Sequence, residues 1–551
     1  MKRFLKWIAI GLGFILLLII AFVLYIMVSH DMYGRYASGG VLSEAQAAYD
    51  VIFYDLNLEV LSEDQALSGY VTITIRSMIN GLETVELDLI DNFDVSQVIT
   101  ARQNELGFKH DEDKLVIHLT EELDSNQTVD LSIYYEGRPV EALYSPWLGG
   151  FNWSEDSTGA DWIGVACQAE GAKIWFPCKD HPSDEPDSAA INITIPDGYL
   201  CVSNGLLRRT TIPRAGFKTY HWFTHYPINN YNINISIGRY REVSVSYRSE
   251  AGQEMPVSYY VLPESQFGAD SLLAMAVEML TIYRKYFGEY PFITEKFGLV
   301  QTDYMGMEHQ TINAYGNRYR YRTFHDVTFD ELMLHEMGHE WWGNKVTAAD
   351  WADMWIQEGI CTYGEALFIR EKAGEEGYHS YMRRKQGFVL NTDPVIPKRN
   401  ATSQEVYQRD IYYKGASLMH SLRFILGDSV FFNSLYKFAT DSAYIFHNLV
   451  STDDFISLFN GNPDNDYSEY IKMMLYTTEL PHVVVDSVAN NTYQIFINNI
   501  SFHLPMAITL DDSVKRFELG REMIEVVSAI WPVVDERGWY LKRVSNKKMS
   551  K

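Results

Sequence analysis

The chain has 551 residues, of which 47% are hydrophobic and 21% are charged, and its formal net charge is -26. This composition belongs to a folded globular protein of several domains and excludes a disordered, collagen-like or low-complexity protein. The acidic balance, without an extended basic run, excludes a phosphate-tracking nucleic-acid binder, so no nucleic-acid partner is expected.

The N-terminus carries a long apolar segment within a first region of residues 1–30. Residues 7–28 contain no charged side chain. A helix of that length spans about 33 Å, enough to cross a hydrocarbon core of about 30 Å. Because Lys2, Arg3 and Lys6 precede the segment, the positive-inside rule places the N-terminus in the cytoplasm. We therefore expect a signal-anchor helix and a single-pass protein of the cell membrane.

A cleaved signal peptide is the alternative interpretation of the same segment. The apolar run is longer than the usual h-region, and no small-x-small cleavage site follows it closely. Both observations favour an uncleaved anchor. The remaining globular part of the chain would then lie outside the cytoplasm.

Short β-type runs dominate after a connector at residues 31–46. Alternation with a period of two recurs between turn-forming residues, at residues 56–60, 70–75, 115–117, 131–135 and 191–195. These runs predict an antiparallel β domain over residues 47–250, built as a sandwich or as a saddle-shaped sheet.

Helical periodicity begins near Ser265 and dominates to about residue 478. The first helix shows apolar residues on one face, at Leu272, Leu273, Ala276, Met279, Leu280 and Tyr283. Further helices are predicted at residues 328–345, 353–373, 375–390, 413–426 and 467–477. Short β runs return at residues 483–485, 493–497 and 539–541, which predicts a small C-terminal β module over residues 481–551.

Two histidines four residues apart are the sharpest chemical feature. In a helix, residues four apart are turned by about 400°, so His335 and His339 project in nearly the same direction and can bind one cation. Zinc favours such nitrogen ligands. Glu336 lies beside that edge, where a carboxylate can accept a proton from metal-bound water. An H-E-x-x-H match alone is only moderately specific, and a solvated helix face is its alternative.

A third ligand is available in the next helical pattern. Residues 340–357 separate His339 from Glu358, whose carboxylate can complete a catalytic zinc site that keeps one position open. Ligating imidazoles normally donate their other N–H to a carboxylate or carbonyl. Glu340, Glu365 and Asp353 are candidates for that role, and exposed helix charges are their alternative interpretation.

Together these residues resemble the mono-zinc aminopeptidases related to aminopeptidase N and leukotriene hydrolase, which are gluzincin metallopeptidases. The resemblance covers roughly residues 47–480 and implies a thermolysin-like, mostly helical catalytic domain over residues 251–480. Its further motifs are Phe176-Pro177-Cys178-Lys179-Asp180-x-Pro182, Phe287-Gly288-Glu289-Tyr290-Pro291, Gly306-Met307-Glu308, Trp341-Trp342-Gly343 and Tyr412-Tyr413-Lys414-Gly415.

The resemblance implies a role for each matching residue. His335, His339 and Glu358 would bind one Zn²⁺ per chain. Glu336 would act as general base on a zinc-activated water and return the proton to the leaving amine. Tyr412 would donate its phenolic O–H to the oxyanion that forms in the transition state.

The resemblance also implies a site for the substrate's N-terminus. Glu308 would pair with a free α-ammonium, so that only the first peptide bond reaches the metal. Gly306 and Met307 belong to the same substrate-binding segment. Gln168 resembles the polar residue that the β domain of the family contributes beside this site, and a surface glutamine is its alternative interpretation.

Two residues depart from the family's Gly-x-Met-Glu-Asn segment. Met305 stands where the segment begins with Gly, and a side chain there can narrow the first subsite. His309 stands where the segment ends with Asn. An ionisable His309 can tune amine binding, or it can be a hydrogen-bonded substitute.

The function expected from the sequence is that of a membrane-anchored zinc aminopeptidase, which removes N-terminal residues from peptides with a free N-terminus outside the cytoplasm. Two alternatives stay open. One is a catalytically silent ectodomain that binds peptides or partners. The other is a zinc endopeptidase, which would have no use for the ammonium-binding Glu308.

Overall fold

The protein is described by a computed structural model that covers residues 34, 36–462 and 465–547. The predicted membrane anchor at residues 7–28 lies outside the described residues. Within the described ranges, no helix is both long enough and apolar enough to span a bilayer.

Strands dominate the described chain as far as residue 238. They follow one short helix. The elements are α1 (Glu44–Ala47), β1 (Tyr49–Leu61), β2 (Ala66–Ser77), β3 (Leu82–Asp88), β4 (Phe93–Thr100), β5 (Gly107–Asp111), β6 (Lys114–Leu123), β7 (Thr128–Gly137), β8 (Gly150–Glu155), β9 (Asp161–Ala166), β10 (Ser188–Pro196), β11 (Leu200–Ser203), β12 (Leu206–Thr211), β13 (Phe217–Thr224) and β14 (Ile235–Gly238). The predicted period of two is visible in β1, where Leu56, Leu58 and Val60 are buried and the side chains between them are half-buried.

These strands form three sheets. The largest has seven strands in the order β12-β13-β10-β1-β2-β7-β4, and the others have the orders β11-β14-β9-β8 and β3-β6-β5. The predicted N-terminal β domain is confirmed, but its purely antiparallel character is wrong at one pairing. β1 and β10 run parallel, with Leu56 opposite Ile191. The long connection between them allows the chain to return in the same direction, which a short hairpin does not.

A mixed sheet lies between the N-terminal strands and the helices. It contains β15 (Arg241–Arg248), β16 (Glu254–Val261), β17 (Phe297–Gln301), β18 (Gly306–Met307) and β19 (Asn313–Tyr315), in the order β15-β16-β17-β19-β18. A hairpin of β20 (Arg322–Phe324) and β21 (Val327–Phe329) follows. The domain boundary expected at residue 250 falls in the turn between β15 and β16, so this sheet has strands on both sides of that position.

Helices dominate from residue 269 to residue 476, which confirms the mostly helical region. They are α2 (Ala269–Phe287), α3 (Glu331–His339), α4 (Trp355–Gln386), α5 (Ser403–Val406), α6 (Arg409–Leu426), α7 (Asp428–Thr440), α8 (Thr452–Phe459) and α9 (Ser468–Tyr476). Short 3-10 helices occur at Ala172–Ile174, Asn230–Asn232, Pro263–Gly268 and Trp351–Asp353. Helices α5, α7 and α8 were not predicted from the sequence.

The predicted helix at 328–345 is longer than the observed α3. Its first residues belong to β21 instead. After His339 the chain turns, because Gly343 has φ +131° and Trp342 forms a β-bridge with Val346. The predicted break between helices at 353–373 and 375–390 is confirmed, since Gly374 in α4 has φ 71° and ψ -172°.

Helix α2 supports α3 from behind. The apolar face predicted for α2 is buried, including Leu272, Leu280 and Tyr283. Full burial of each such side chain contributes about 1.5–3 kcal/mol. The Tyr283 hydroxyl donates to the carbonyl of Leu334 at 2.9 Å, and its ring packs edge-on against Trp341. The back of α3 is therefore fixed by both apolar and polar contacts.

Strands return in the C-terminal part of the chain, first as a two-stranded hairpin between α8 and α9 and then after α9. They are β22 (Gly461–Asn462), β23 (Asn465–Asp466), β24 (His482–Ala489), β25 (Thr492–Ile497), β26 (Leu504–Leu510), β27 (Ser513–Leu519), β28 (Ile524–Val527), β29 (Val533–Val534) and β30 (Arg543–Lys547). The strand predicted at 539–541 is wrong. The N–H groups of Trp539 and Tyr540 donate to the Asp535 carboxylate rather than to a neighbouring strand, and the Trp539 ring stacks on His420 and Phe424 of α6.

Candidate active site

Helix α3 begins at a well-defined cap. The Asp330 carboxylate accepts a hydrogen bond from the backbone N–H of Met333 at 3.0 Å, as a good N-cap residue does. The same carboxylate accepts from the Tyr315 hydroxyl at 2.6 Å and from the Asn317 amide at 2.9 Å. The start of α3 is therefore held to the loop that follows β19.

Close helix packing brings α4 to α3. A Cβ added to Gly338 would lie only 3.1 Å from the Cys361 Sγ, so a glycine at this position lets the two helices approach. Glu358 lies in the first turn of α4, one turn before that crossing. Its side chain reaches the two histidines of α3.

Three ligand atoms from these helices form an equilateral triangle. The His335 Nε2, the His339 Nε2 and a Glu358 carboxylate oxygen each lie 3.3 Å from the other two. Two ligands at about 2.0–2.1 Å from a tetrahedral metal lie about 3.3 Å apart. Two imidazoles and one carboxylate in this arrangement fit a zinc ion and leave a fourth position open.

The other imidazole nitrogens also have partners. The Nδ1 atom of His335 lies 2.9 Å from a Glu365 oxygen, and the Nδ1 atom of His339 lies 2.9 Å from the Trp342 carbonyl. Such contacts fix the orientation of a ligating imidazole. Burial opposes ionisation of Glu365, but Lys385 and His335 hold its pKa down at about 2.

The two remaining candidates for this supporting role are wrong. Glu340 turns away from the histidines and accepts hydrogen bonds from the Thr311 N–H and the Asn313 amide. Asp353 binds the Thr452 hydroxyl at 2.6 Å and pairs with Arg399 at 2.6 Å. Both carboxylates are buried structural groups rather than the exposed helix charges of the alternative interpretation.

Glu336 lies beside the triangle and faces β18. A Cβ on Gly306 would lie 2.5 Å from a Glu336 oxygen, so this strand approaches the carboxylate as closely as its backbone allows. Burial raises the pKa of Glu336 to about 7. Its carboxylate belongs to a second close group of possible ligand atoms, with Glu308 and His339.

Tyr412 packs against one of the three proposed ligands. Its ring stacks on His335 with centroids 5.8 Å apart, and its hydroxyl lies 2.9 Å from that of Tyr407. Helix α6, which carries Tyr412, touches α4 where the Cβ that Gly359 lacks would meet the Gly415 Cα at 2.9 Å. This glycine pair sets the distance between Tyr412 and the triangle.

Glu308 follows β18 at the end of the same cavity. Its carboxylate accepts hydrogen bonds from the Gln168 amide and, at 3.1 Å, from the Tyr231 hydroxyl. Both donors come from the N-terminal strand region: Gln168 lies in the turn after β9, and Tyr231 lies in a single helical turn. Burial raises the pKa of the Glu308 carboxyl. Gln168 is therefore not a surface glutamine.

These residues share one cavity of about 470 Å³, which is lined by every residue that the sequence predicted to bind the metal, to catalyse the reaction or to bind the substrate. Met305 is 41% exposed at its mouth. The lining consists of Pro146, Trp147, Gln168, Met305, Gly306, Met307, Glu308, Leu332, His335, Glu336, His339, Glu358, Tyr407, Gln408, Arg409, Tyr412 and Tyr413.

His309 does not line this cavity. It is fully buried, and its Nε2 lies 3.3 Å from the Asn234 amide. Burial lowers the pKa of His309 to about 3, so the ring is neutral near neutral pH. These contacts favour the hydrogen-bonded substitute over a group that tunes amine binding.

Tyr231 and Tyr407 were not predicted as site residues from the sequence. Each places a hydroxyl on a predicted site residue, Tyr231 on Glu308 and Tyr407 on Tyr412. Single tyrosines outside a periodic pattern carry no spacing signal. Only the proximity of Tyr407 to Tyr412 in the chain could have indicated the second contact.

Two family descriptions match the chain. The peptidase M1 N-terminal domain matches residues 51–231, and the peptidase family M1 domain matches residues 272–474. An M1 zinc metallopeptidase from Deinococcus radiodurans has a similar fold, with a TM-score of 0.67 and 24% identity, over 79% of this chain and 96% of that one.

Two aminopeptidases are similar to this chain in sequence. Leucine aminopeptidase 2 of Vanderwaltozyma polyspora is 24% identical over 70% of this chain, and aminopeptidase N of Lactococcus lactis is 22% identical over 81%. The matches span 58% and 53% of those proteins, so this chain covers little more than half of their lengths. On its two matched domains and its fold, the chain belongs to peptidase family M1.

Proposed function

We propose that this protein is a zinc aminopeptidase that hydrolyses the N-terminal peptide bond of peptides. One observation carries the proposal: the three-ligand triangle shares its cavity with a buried carboxylate, Glu308, which two neutral donors hold in place. A metal centre supports hydrolysis, and the carboxylate supports recognition of a free amine. The names of the M1 relatives, leucine aminopeptidase 2 and aminopeptidase N, agree with this function.

His335, His339 and Glu358 would hold the zinc ion. When bound, zinc supplies a Lewis acid that polarises the scissile carbonyl and lowers the pKa of a water molecule. Glu365 and the Trp342 carbonyl keep the two imidazoles oriented, with Nε2 of each ring toward the shared site.

Glu336 and Tyr412 would carry the proton transfer and the charge stabilisation. Glu336 accepts a proton from the attacking water at its carboxylate and delivers it to the leaving amine. Tyr412 donates its O–H to the oxygen on which negative charge develops. The Tyr407 hydroxyl, 2.9 Å away, keeps the phenol of Tyr412 in position.

Glu308 would restrict hydrolysis to the first peptide bond. A substrate ammonium paired with this carboxylate places the first carbonyl at the metal ligands, since one residue spans at most about 3.6 Å of extended chain. Gln168 and Tyr231 hold the carboxylate by donating to it, and neither donor carries a positive charge that would compete with the ammonium.

The test compares peptides that have a free N-terminus with the same peptides after N-acetylation, using the purified zinc-loaded chain. We expect stepwise removal of single residues from the free peptides and no cleavage of the acetylated ones. Cleavage of both forms would indicate an endopeptidase. Cleavage of neither, by folded protein with zinc bound, would indicate a peptide-binding ectodomain.

We also propose that residues 7–28 anchor the protein in the cell membrane, with the N-terminus in the cytoplasm and the catalytic part outside. The proposal is supported by the uncharged run and by the cationic residues before it. Fractionation of cells that express the full chain tests the anchor, and protease added to intact cells tests the orientation. Recovery in the soluble fraction, or complete protection from added protease, would contradict it.

A further inference from the structure

A second cavity continues the catalytic cavity away from Glu308. It has a volume of about 310 Å³ and shares five lining residues with the first cavity: Met305, Leu332, His335, Tyr412 and Tyr413. Glu308 does not line it. A peptide whose amine lies at Glu308, and whose first peptide bond lies at His335 and Tyr412, therefore extends its leaving part towards this second cavity.

Among the residues that the structure describes, one cationic group of the second cavity has no acidic partner. Arg322 pairs with Glu331 at 2.6 Å, and Lys385 pairs with Glu365 and Glu331. These pairs neutralise the two carboxylates of the lining. Arg320 also lines the cavity, and over the described part of the chain its guanidinium forms no ion pair.

The backbone at Arg320 is tied to the helix that carries the histidines. The Asn317 amide donates to the Arg320 carbonyl at 3.2 Å and to the Asp330 carboxylate at 2.9 Å. Asp330 is the N-cap of α3. The backbone at Arg320 is thus held next to α3, while its side chain is exposed at the cavity that it lines.

A second guanidinium, on an exposed side chain, lines the first cavity. Arg409 is the first residue of α6, and its guanidinium lies over the rings of Phe388 and Tyr413, 5.8 Å from each centroid. The adjacent Asp410 is engaged by two backbone N–H groups instead. Within the described ranges, Arg409 has no ion pair.

We propose that Arg320 and Arg409 bind a carboxylate of the leaving fragment, and thereby make short peptides with a free C-terminus the preferred substrates. The proposal rests on the proposed aminopeptidase function. It assigns opposite charges to the two ends of the cavity, with Glu308 for the ammonium and two guanidiniums for the carboxylate. Unpaired cations at this place contrast with the net charge of -26 for the chain.

Chain length and geometry favour dipeptides and tripeptides. One or two residues beyond the first peptide bond extend by about 3.5–7 Å, which keeps their C-terminal carboxylate within the two adjoining cavities, one lined by Arg409 and the other by Arg320. A guanidinium matches a carboxylate with two parallel N–H donors. An aspartate side chain early in the leaving fragment offers the same group, so the experiment must separate these two sources.

The experiment compares three peptides at low ionic strength: Leu-Gly-Gly, Leu-Gly-Gly-amide and Leu-Asp-Gly-amide. For the full zinc-loaded chain, we expect kcat/KM for the free acid to exceed that for the uncharged amide by about tenfold or more, the value of one charge-assisted hydrogen bond. Recovery of the rate by Leu-Asp-Gly-amide identifies a side-chain carboxylate as sufficient. No recovery identifies the C-terminal carboxylate as the group that is bound.

Substitutions assign the effect to the two arginines. In the Arg320→Gln/Arg409→Gln double variant, the acid-to-amide ratio should fall to near one. Arg318→Gln is the matched control, because Arg318 lies in the same loop, pairs with Asp303 and lines neither of the two cavities. This variant should keep the wild-type ratio.

Three results overturn the inference. They are equal kcat/KM values for all three peptides in the wild type, an unchanged ratio in the double variant, and an equal loss of ratio in Arg318→Gln. If none of the peptides is cleaved by folded zinc-loaded protein, the proposed function fails instead, so the two failures are distinguishable.

Discussion

Replacing Gly359 by alanine should displace Tyr412 without changing its phenol group. Gly359 follows the proposed ligand Glu358 and lies where α4 touches α6. An added Cβ would lie 2.9 Å from the Gly415 Cα and 3.0 Å from the Ile411 carbonyl oxygen. Both neighbouring atoms belong to the backbone of α6, so no side-chain rotation can relieve the overlap.

The size of the effect follows from these distances. Carbon atoms pack at about 3.5–4.0 Å, so the helices must separate by about 0.6–1.1 Å. Overpacking of this kind destabilises a fold by about 1–3 kcal/mol. Tyr412 moves with α6, and a misplacement of about 1 Å in a catalytic group lowers the rate by about 10²-fold.

The assay measures kcat, KM, zinc content and the denaturant midpoint for Gly359→Ala. We expect a loss in kcat of about 10- to 100-fold with a folded protein. Gly107→Ala is the control, because a Cβ at Gly107 would meet nothing within 4 Å, and this variant should match the wild type. A Gly359→Ala protein with wild-type kcat and stability would refute the reasoning that the glycine contact positions Tyr412.

Four further outcomes are expected. Glu336→Gln should lower kcat by about 10²–10⁴-fold while zinc stays bound, and retained turnover would exclude it as the general base. Tyr412→Phe should lower kcat by about 10²–10³-fold with little change in KM, whereas Tyr413→Phe should not; a change in KM alone would exclude the oxyanion role. Glu365→Gln should weaken zinc binding by about 10–100-fold in a competition titration with a chelator, and unchanged affinity would contradict its role in orienting His335. Burial, aided by Arg537, lowers the pKa of His379 to about 4. The unfolded chain therefore binds more protons below about pH 6.5, and the stability difference between wild type and His379→Gln should shrink or reverse as the pH falls from 6.5 to 4; a pH-independent difference would contradict this.

Local patterns predicted the parts of the structure that depend on local physics. The period of two predicted β1, and the spacing of His335 and His339 predicted one shared face of α3, because both follow from the geometry of a single element. The break at Gly374 was predictable for the same reason. Contacts between residues on different elements were not predictable from these patterns. Glu340, Glu365 and Asp353 had the same chemistry in the sequence, and only the packing of α4 against α3 brings Glu365 to His335.

The remaining differences arise where tertiary contacts override a local pattern. Trp539 stands in a short apolar run that is typical of a strand, but stacking on α6 and hydrogen bonds to Asp535 occupy the groups that a strand would need. Tyr231 reaches Glu308 across 77 positions of chain. No pattern within one segment encodes such a contact, so the hydrogen bonds that hold Glu308 were visible only in the fold.

The carboxylate of Glu308 lies at the boundary between the N-terminal strand region and the part of the chain that carries the metal ligands. One side of this boundary supplies Glu308. The other side supplies Gln168 and Tyr231, which donate hydrogen bonds to its carboxylate. Under the proposed function, removal of one residue at a time therefore depends on contacts between two parts of the chain, whereas hydrolysis of the peptide bond depends on residues of the helices alone. Substitutions that disturb these contacts would reduce the selectivity for the first peptide bond before they reduced the rate of hydrolysis. Such changes would turn an exopeptidase into a less selective peptidase without altering any metal ligand.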